Sequence, residues 1–219
     1  LGDVYKRQAF YLFQLAFACT AATIVSGSVA ERIKLSAYFW NSFVILIVIY
    51  PWSCHWIWCT GGWLFEDGYR DFAGSLVVHA VGGFCGLVCS IKTGPRIGRY
   101  DEQLGIVLEI PPHSMVLSAL GTWILLFGWF GFNPGSTLGL SDGSDELAAV
   151  VGVNTLLGSV VAVMTSIAIM MLVVGQFNLA QVMNALLAGL VSITGPCGFC
   201  TMGGAIAIGA IGGILYAWG

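Results

Sequence analysis

Seven apolar stretches separated by short polar segments run along this chain, at residues 9–29, 37–58, 72–91, 115–132, 147–174, 180–194 and 202–219. As helices, such stretches suit a hydrocarbon core about 30 Å thick. The sixth is short, and the fifth is long enough to tilt or to leave one end outside lipid. The fourth closes on an aromatic run and a breaker, "FGWFGFNPGS" (127–136), in which Asn133, Pro134 and Gly135 are expected to stop the helix and Ser136 to follow as a turn or cap residue. The pattern predicts an all-α, polytopic membrane protein with about seven transmembrane helices.

Composition strengthens that reading. Of 219 residues, 58% are hydrophobic and 9% charged, against roughly a quarter charged in an ordinary soluble domain. The 30 glycines sit inside apolar runs, where small residues let membrane helices approach closely. A net charge of −3, scattered along the chain, gives no footprint for nucleic acid. The seven cysteines lie mostly in or beside apolar spans. Cys197 and Cys200 form a lone CxxC without a second pair, so packing rather than metal binding is expected of them. No Walker A, HExxH or GxSxG pattern is present, which argues against an enzyme.

Charge also orients the chain. Arg32 and Lys34 follow the first span, and Lys92, Arg96 and Arg99 follow the third. The opposite loops hold Arg70 among Glu66, Asp67, Asp142, Asp145 and Glu146. The Lys/Arg bias places the first and third loops in the cytoplasm. Lys6 and Arg7 oppose it. They belong to "LGDVYKRQ", which joins the first span without cap or linker, so residues 1–8 are expected to be non-native and 9–219 part of a transmembrane domain. The chain opens without Met and stops at a span end, as a piece of a longer protein would.

An ionisable side chain within a span is a functional candidate by default. His79 lies eight residues into the third span, about 12 Å along the axis, with Ala80, Gly82, Gly83 and Gly86 leaving room for a lumen or for packing. Asp71, just before that span, is placed to accept from exposed backbone N–H groups and to favour a cation. Trp52, Trp56, Trp58 and Trp63 suit a membrane-interface belt, and aromatic faces also attract cations. Phe13 and Phe17 share a helix face. Asn154, Thr155 and Asn184 are expected to bridge helices.

Taken in order and spacing, "FQLAF", "AERI", "HWIW…GGW", "DFAGSLVVH", "GPRIGRYD", "GWFGFNPGS" and "VNT" resemble the ammonium transporter family, whose relatives include the Rh proteins. The resemblance implies a helical bundle with inverted repeats and a homotrimer of eleven-span subunits, each with its own pore. This chain resembles spans three to nine. It further implies recruitment of ammonium at an outer aromatic vestibule and conduction of ammonia and a proton through a hydrophobic, histidine-lined pore. By position, Phe17, Trp58 and Ser136 match the recruitment site, Phe17 with Phe132 the gate, and Phe13 and Gln14 its support. Asp71 matches the aspartate behind the site, and His79 the first of two pore histidines, the second belonging to the tenth span. The loop from Trp58 to Asp71 varies in length among relatives, which leaves Cys59 and Trp56 as alternatives to Trp58. Trp58 with Ser136 favours the Amt/Mep branch over Rh. The implied partners are ammonium or ammonia (methylammonium as analogue), the bilayer, two further subunits and a cytoplasmic regulator. No cofactor or metal is implied. The alternative reading is an ammonium sensor on the same fold.

Overall fold

The computed structural model describes residues 2–101 and 105–219, with side chains from Val4 onward. Leu1, in the segment expected to be non-native, and residues 102–104 of the third loop lie outside the described residues. The chain divides into two compact units, Leu1–Tyr69 with Leu76–Pro111, and Arg70–Ser75 with Pro112–Gly219.

The first unit opens with α1, Gly2–Val29. A continuous helical run follows: α2 (Leu35–Val44), a π-helical segment (Ile45–Ile49) and α3 (Tyr50–Trp58). Pro51 explains the wide turn. Its ring lacks an N–H and crowds the carbonyl four residues back, at Ile47, inside the π-helical segment. After the short α4 (Trp63–Glu66), a second π-helical segment (Ser75–Ala80) leads into α5 (Val81–Thr93).

Helix α5 lies against α1 through Gly82 and Gly86, a small-xxx-small pair. A Cβ on Gly82 would stand 2.7 Å from Ile24 Cβ and from Ala21 O, and one on Gly86 2.6 Å from Ser28 Oγ. Gly83 faces open space. Of the glycines that left lumen and packing as alternatives, Gly82 and Gly86 therefore serve packing. The contact is clasped at one end by Arg32, whose guanidinium donates to the carbonyls of Ser28 and Gly94, the last turns of α1 and α5. Glu31 and Arg96 add an ion pair at 3.1 Å. The first and third polar loops thus meet. The third also carries a small ribbon unforeseen in the sequence, β1 (Tyr100–Asp101) antiparallel to β2 (Ile106–Val107).

In the second unit, Ser114 accepts from Leu117 N at 3.3 Å to start α6, Met115–Gly135. Helix α7 spans Ser144–Val173. Asn178 and Gln181 exchange side-chain bonds of 2.9 Å in a capping box that opens α8, Leu179–Thr194, and Thr201 caps α9, Met202–Trp218. Glycines bring α7, α8 and α9 to backbone contact: a Cβ on Gly209 would lie 2.9 Å from Gly158 Cα, and one on Gly189 2.8 Å from Gly158 O. Ala73, Val151, Ile193, Cys197 and Ala205 form the core of this unit.

Among the described residues, five helical stretches, Val4–Val29, Leu35–Glu66, Ser75–Thr93, Met115–Gly135 and Ser144–Val173, are long and apolar enough to cross a membrane. α8 and α9 are shorter apolar helices of 16 and 17 residues.

Candidate functional site

In the first unit, α1 brings Phe13, Gln14 and Phe17 to one face by their three- and four-residue spacing. The rings of Phe13 and Phe17 lie 4.2 Å apart. Tyr50 donates its hydroxyl to Gln14 Oε1 at 2.8 Å, fixing the amide between α1 and α3. The edge-on partner of Phe17 is Trp58, with centroids 6.0 Å apart. Phe17 is buried. Trp56 instead joins Trp52 and Trp63, at 6.1 and 6.2 Å, and Cys59 is exposed. Of the three alternatives, Trp58 is the one beside Phe17.

His79 occupies the π-helical segment Ser75–Ala80 and is 7% exposed. Its imidazole brings two ring nitrogens capable of hydrogen bonding to that depth of the span. His55 and His113 are exposed. Among the described residues no group of three or more His, Cys, Asp or Glu is placed to hold a metal.

In the second unit, Asp71 is buried, and its Oδ1 accepts from the N–H groups of Gly74 and Ser75 at 2.9 Å each. The expected capping is present, but the helix begins at Ser75 rather than at residue 72. The intervening N–H groups go elsewhere: Phe72 N to Gly195 O at 2.7 Å and Ala73 N to Thr194 O at 3.1 Å. Ser75 Oγ donates to Val191 O and accepts from Gly195 N, both at 2.6 Å. The C-terminal carbonyls of α8 thus find donors in residues 72–75.

Helix α6 runs on through Asn133, Pro134 and Gly135 rather than breaking there as expected. At its end Ser136 N bonds Asn133 O at 3.0 Å, and the Ser136 hydroxyl donates to Phe132 O at 2.9 Å. A serine has one hydroxyl proton, so this bond leaves Ser136 Oγ with lone pairs only for any further partner. Asn133 Nδ2 donates to Thr155 Oγ1 at 3.0 Å, and Asn154 Nδ2 donates to the carbonyls of Cys197 and Cys200 at 2.9 and 3.0 Å. Asn154 and Thr155 bridge elements as expected, whereas Asn184 is exposed on α8. Two residues that the sequence did not single out belong here. Trp129 donates its indole N–H to Thr194 Oγ1 at 2.8 Å, and its ring lies 6.0 Å from that of Phe132. The available signal was an indole N–H in an apolar span, which requires an acceptor.

Long apolar helices whose backbone bonds close within each segment define a multi-pass α-helical membrane protein. Residues 2–219 match the family model described as Ammonium Transporter Family, and the chain belongs to that family. It is 41% identical over 212 residues to "Ammonium transporter 3" of Dictyostelium discoideum, covering 97% of this chain and 49% of the relative. It is 43% identical over 231 residues to "Ammonium transporter Amt2" of Archaeoglobus fulgidus, covering 100% and 48%. Among solved structures, "Sensor Amt Protein" superposes with a TM-score of 0.88 at 38% identity, over 94% of this chain and 51% of that one. Candida albicans Mep2 superposes at 0.83 and 32%, over 94% and 44%. The chain spans about half the length of the curated relatives it matches.

Proposed function

We propose that the protein to which this chain belongs moves ammonium across a membrane as a homotrimer, conducting ammonia and a proton through a pore lined by His79. The observation that carries the reading is the family match over residues 2–219 together with about 40% identity to proteins named ammonium transporters. In this reading Phe17 and Trp58 offer π faces to the cation and Ser136 accepts one of its N–H bonds. Phe17 and Phe132 gate the path, Phe13 and Gln14 hold Phe17, and Asp71 favours positive charge nearby. A cytoplasmic regulator is a further proposed partner.

The chemistry is selective for physical reasons. A charged ion is costly in an apolar pore, whereas ammonia is small and neutral. Cation–π attraction contributes up to about 2 kcal/mol when desolvated, and the ammonium N–H groups match the lone pairs of Ser136. Na⁺ and K⁺ have no proton to lose before the apolar stretch. His79 then takes or relays the proton. A second reading, an ammonium sensor, is favoured by the likeness to "Sensor Amt Protein".

The test is electrical. In the complete protein in proteoliposomes, His79→Ala should lose ammonium-dependent current or its selectivity against K⁺, and His79→Glu, which still exchanges a proton, should retain more. If current, K⁺ exclusion and pH dependence all match the parent, His79 only packs. A complete protein that binds ammonium without moving it supports the sensor.

A further inference from the structure

We propose that Thr194 is a positioning residue that fixes the Trp129–Phe132 aromatic pair at the end of α6; this deepens the transport reading above and rests on it. Thr194 sits in the last turn of α8 and is fully buried. Its hydroxyl proton goes to Leu190 O at 2.7 Å, so toward Trp129 the oxygen acts only as an acceptor, and the direction of the Trp129 bond is set. The main chain is held as well, because Thr194 O takes the N–H of Ala73. Thr194 is therefore an immobile acceptor.

The bond holds the indole at its ring nitrogen, which lies off the Cβ–Cγ axis, so rotation about either side-chain torsion of Trp129 would displace the donor from Thr194. Trp129 precedes Phe132 by three residues, and the two rings meet with 39° between their planes. A turn of the indole therefore changes the contact it makes with the Phe132 ring. The Phe132 carbonyl, in turn, holds the Ser136 hydroxyl. A series of fixed contacts runs from the α8 carbonyl of Leu190 through Thr194, Trp129 and Phe132 to Ser136, all inside one compact unit. Thr194 touches neither the proposed cation nor the proton path. It acts by holding Trp129, and through it the gate ring.

Three forms of the complete protein in proteoliposomes test this: parent, Thr194→Val, which keeps shape but loses the acceptor, and Thr194→Ser, which keeps the acceptor. Methylammonium uptake is measured with thermal stability. The indole N–H bond is followed by ultraviolet resonance Raman, with Trp129→Phe subtracted to isolate residue 129. Thr194→Val should lower maximal uptake roughly three- to tenfold, about what one neutral hydrogen bond commands. It should also lose the bonded-indole signature, and Thr194→Ser should restore both. Equal uptake in all three forms overturns the proposal. So does equal impairment of Val and Ser with equal loss of stability, which marks a packing role. Should the parent not transport at all, the transport reading fails by itself; an unchanged residue-129 signature in Thr194→Val then overturns the positioning role too, and its loss upholds the hold on Trp129.

Discussion

Replacing Ser136 by Ala removes one oxygen and two consequences follow. The proposed acceptor for an ammonium N–H disappears, and the Phe132 carbonyl loses the donor it has at 2.9 Å. A hydrogen bond to a charged group contributes about 1.5–3 kcal/mol at full strength. At a half-exposed position water replaces part of it, leaving about 1–2 kcal/mol, or a factor of roughly 5–30. The initial rate of labelled methylammonium uptake well below saturation should fall by that factor and recover at high substrate. Thr137→Ala is the control for mere loosening of the turn, since Thr137 Oγ1 lies 2.9 Å from Pro134 O and 2.8 Å from Gly139 O. Ser136→Thr keeps the hydroxyl and should stay near the parent. Uptake by Ser136→Ala equal to the parent, or an equal loss in Thr137→Ala, refutes the assignment of Ser136 as an acceptor for the ion.

Three further outcomes are expected. Single cysteines placed at 92–101 should label only from the cytoplasmic side and those at 141–146 only from outside; the reverse pattern overturns the orientation read from Arg32, Lys34, Lys92, Arg96 and Arg99. Gly209→Ala should destabilise the protein by about 1–3 kcal/mol through overpacking, because its Cβ would stand 2.9 and 3.0 Å from the rigid backbone of Gly158. Gly203→Ala, whose nearest foreign atom is Thr201 Oγ1 at 3.9 Å, should be neutral or slightly stabilising by thermal midpoint in detergent, and equal midpoints for both variants contradict the close helix contact. Burial, with Cys200 beside it, pushes the Cys197 thiol up to about 12, so at pH 8 iodoacetamide should modify exposed Cys59 and spare Cys197 until the protein is denatured. Mass spectrometry finding alkylated Cys197 in the folded protein refutes that.

The membrane spans were legible because lipid demands uninterrupted apolar length, a signal that survives without any partner in view. Finer features of the same helices were not. A π-helical turn changes the backbone without changing the hydrophobic pattern, so Ile45–Ile49 left no mark beyond Pro51, and Ser75–Ala80 left none. The third span was read from residue 72, yet its helix starts at Ser75, and Phe72 and Ala73 instead bond Gly195 O and Thr194 O at the end of α8, more than a hundred residues away. Phe13, Phe17 and Asp71 could be singled out from local spacing. Trp129 and Thr194 could not be paired, since 65 residues separate them and only the fold supplies the acceptor. Among neighbouring glycines, composition made Gly82, Gly83 and Gly86 alike, whereas the i, i+4 face separates the two that meet α1 from the one that does not.

The Arg32 clasp has a consequence for how the protein is made. Its distant acceptor, Gly94, lies 62 residues further along the chain, so at a synthesis rate of roughly 5–20 residues per second the carbonyl emerges about 3–12 s after the guanidinium. Until α5 is made, the Ala21–Ser28 surface of α1 lacks the Gly82 and Gly86 face that covers it in the fold. The orientation expected from the Lys/Arg bias would put the Arg32 charge on the ribosome's side of the membrane during that interval. Arg32 can close on the end of α5 only once that helix has been made, so the latch on the α1–α5 pair is a late contact in synthesis.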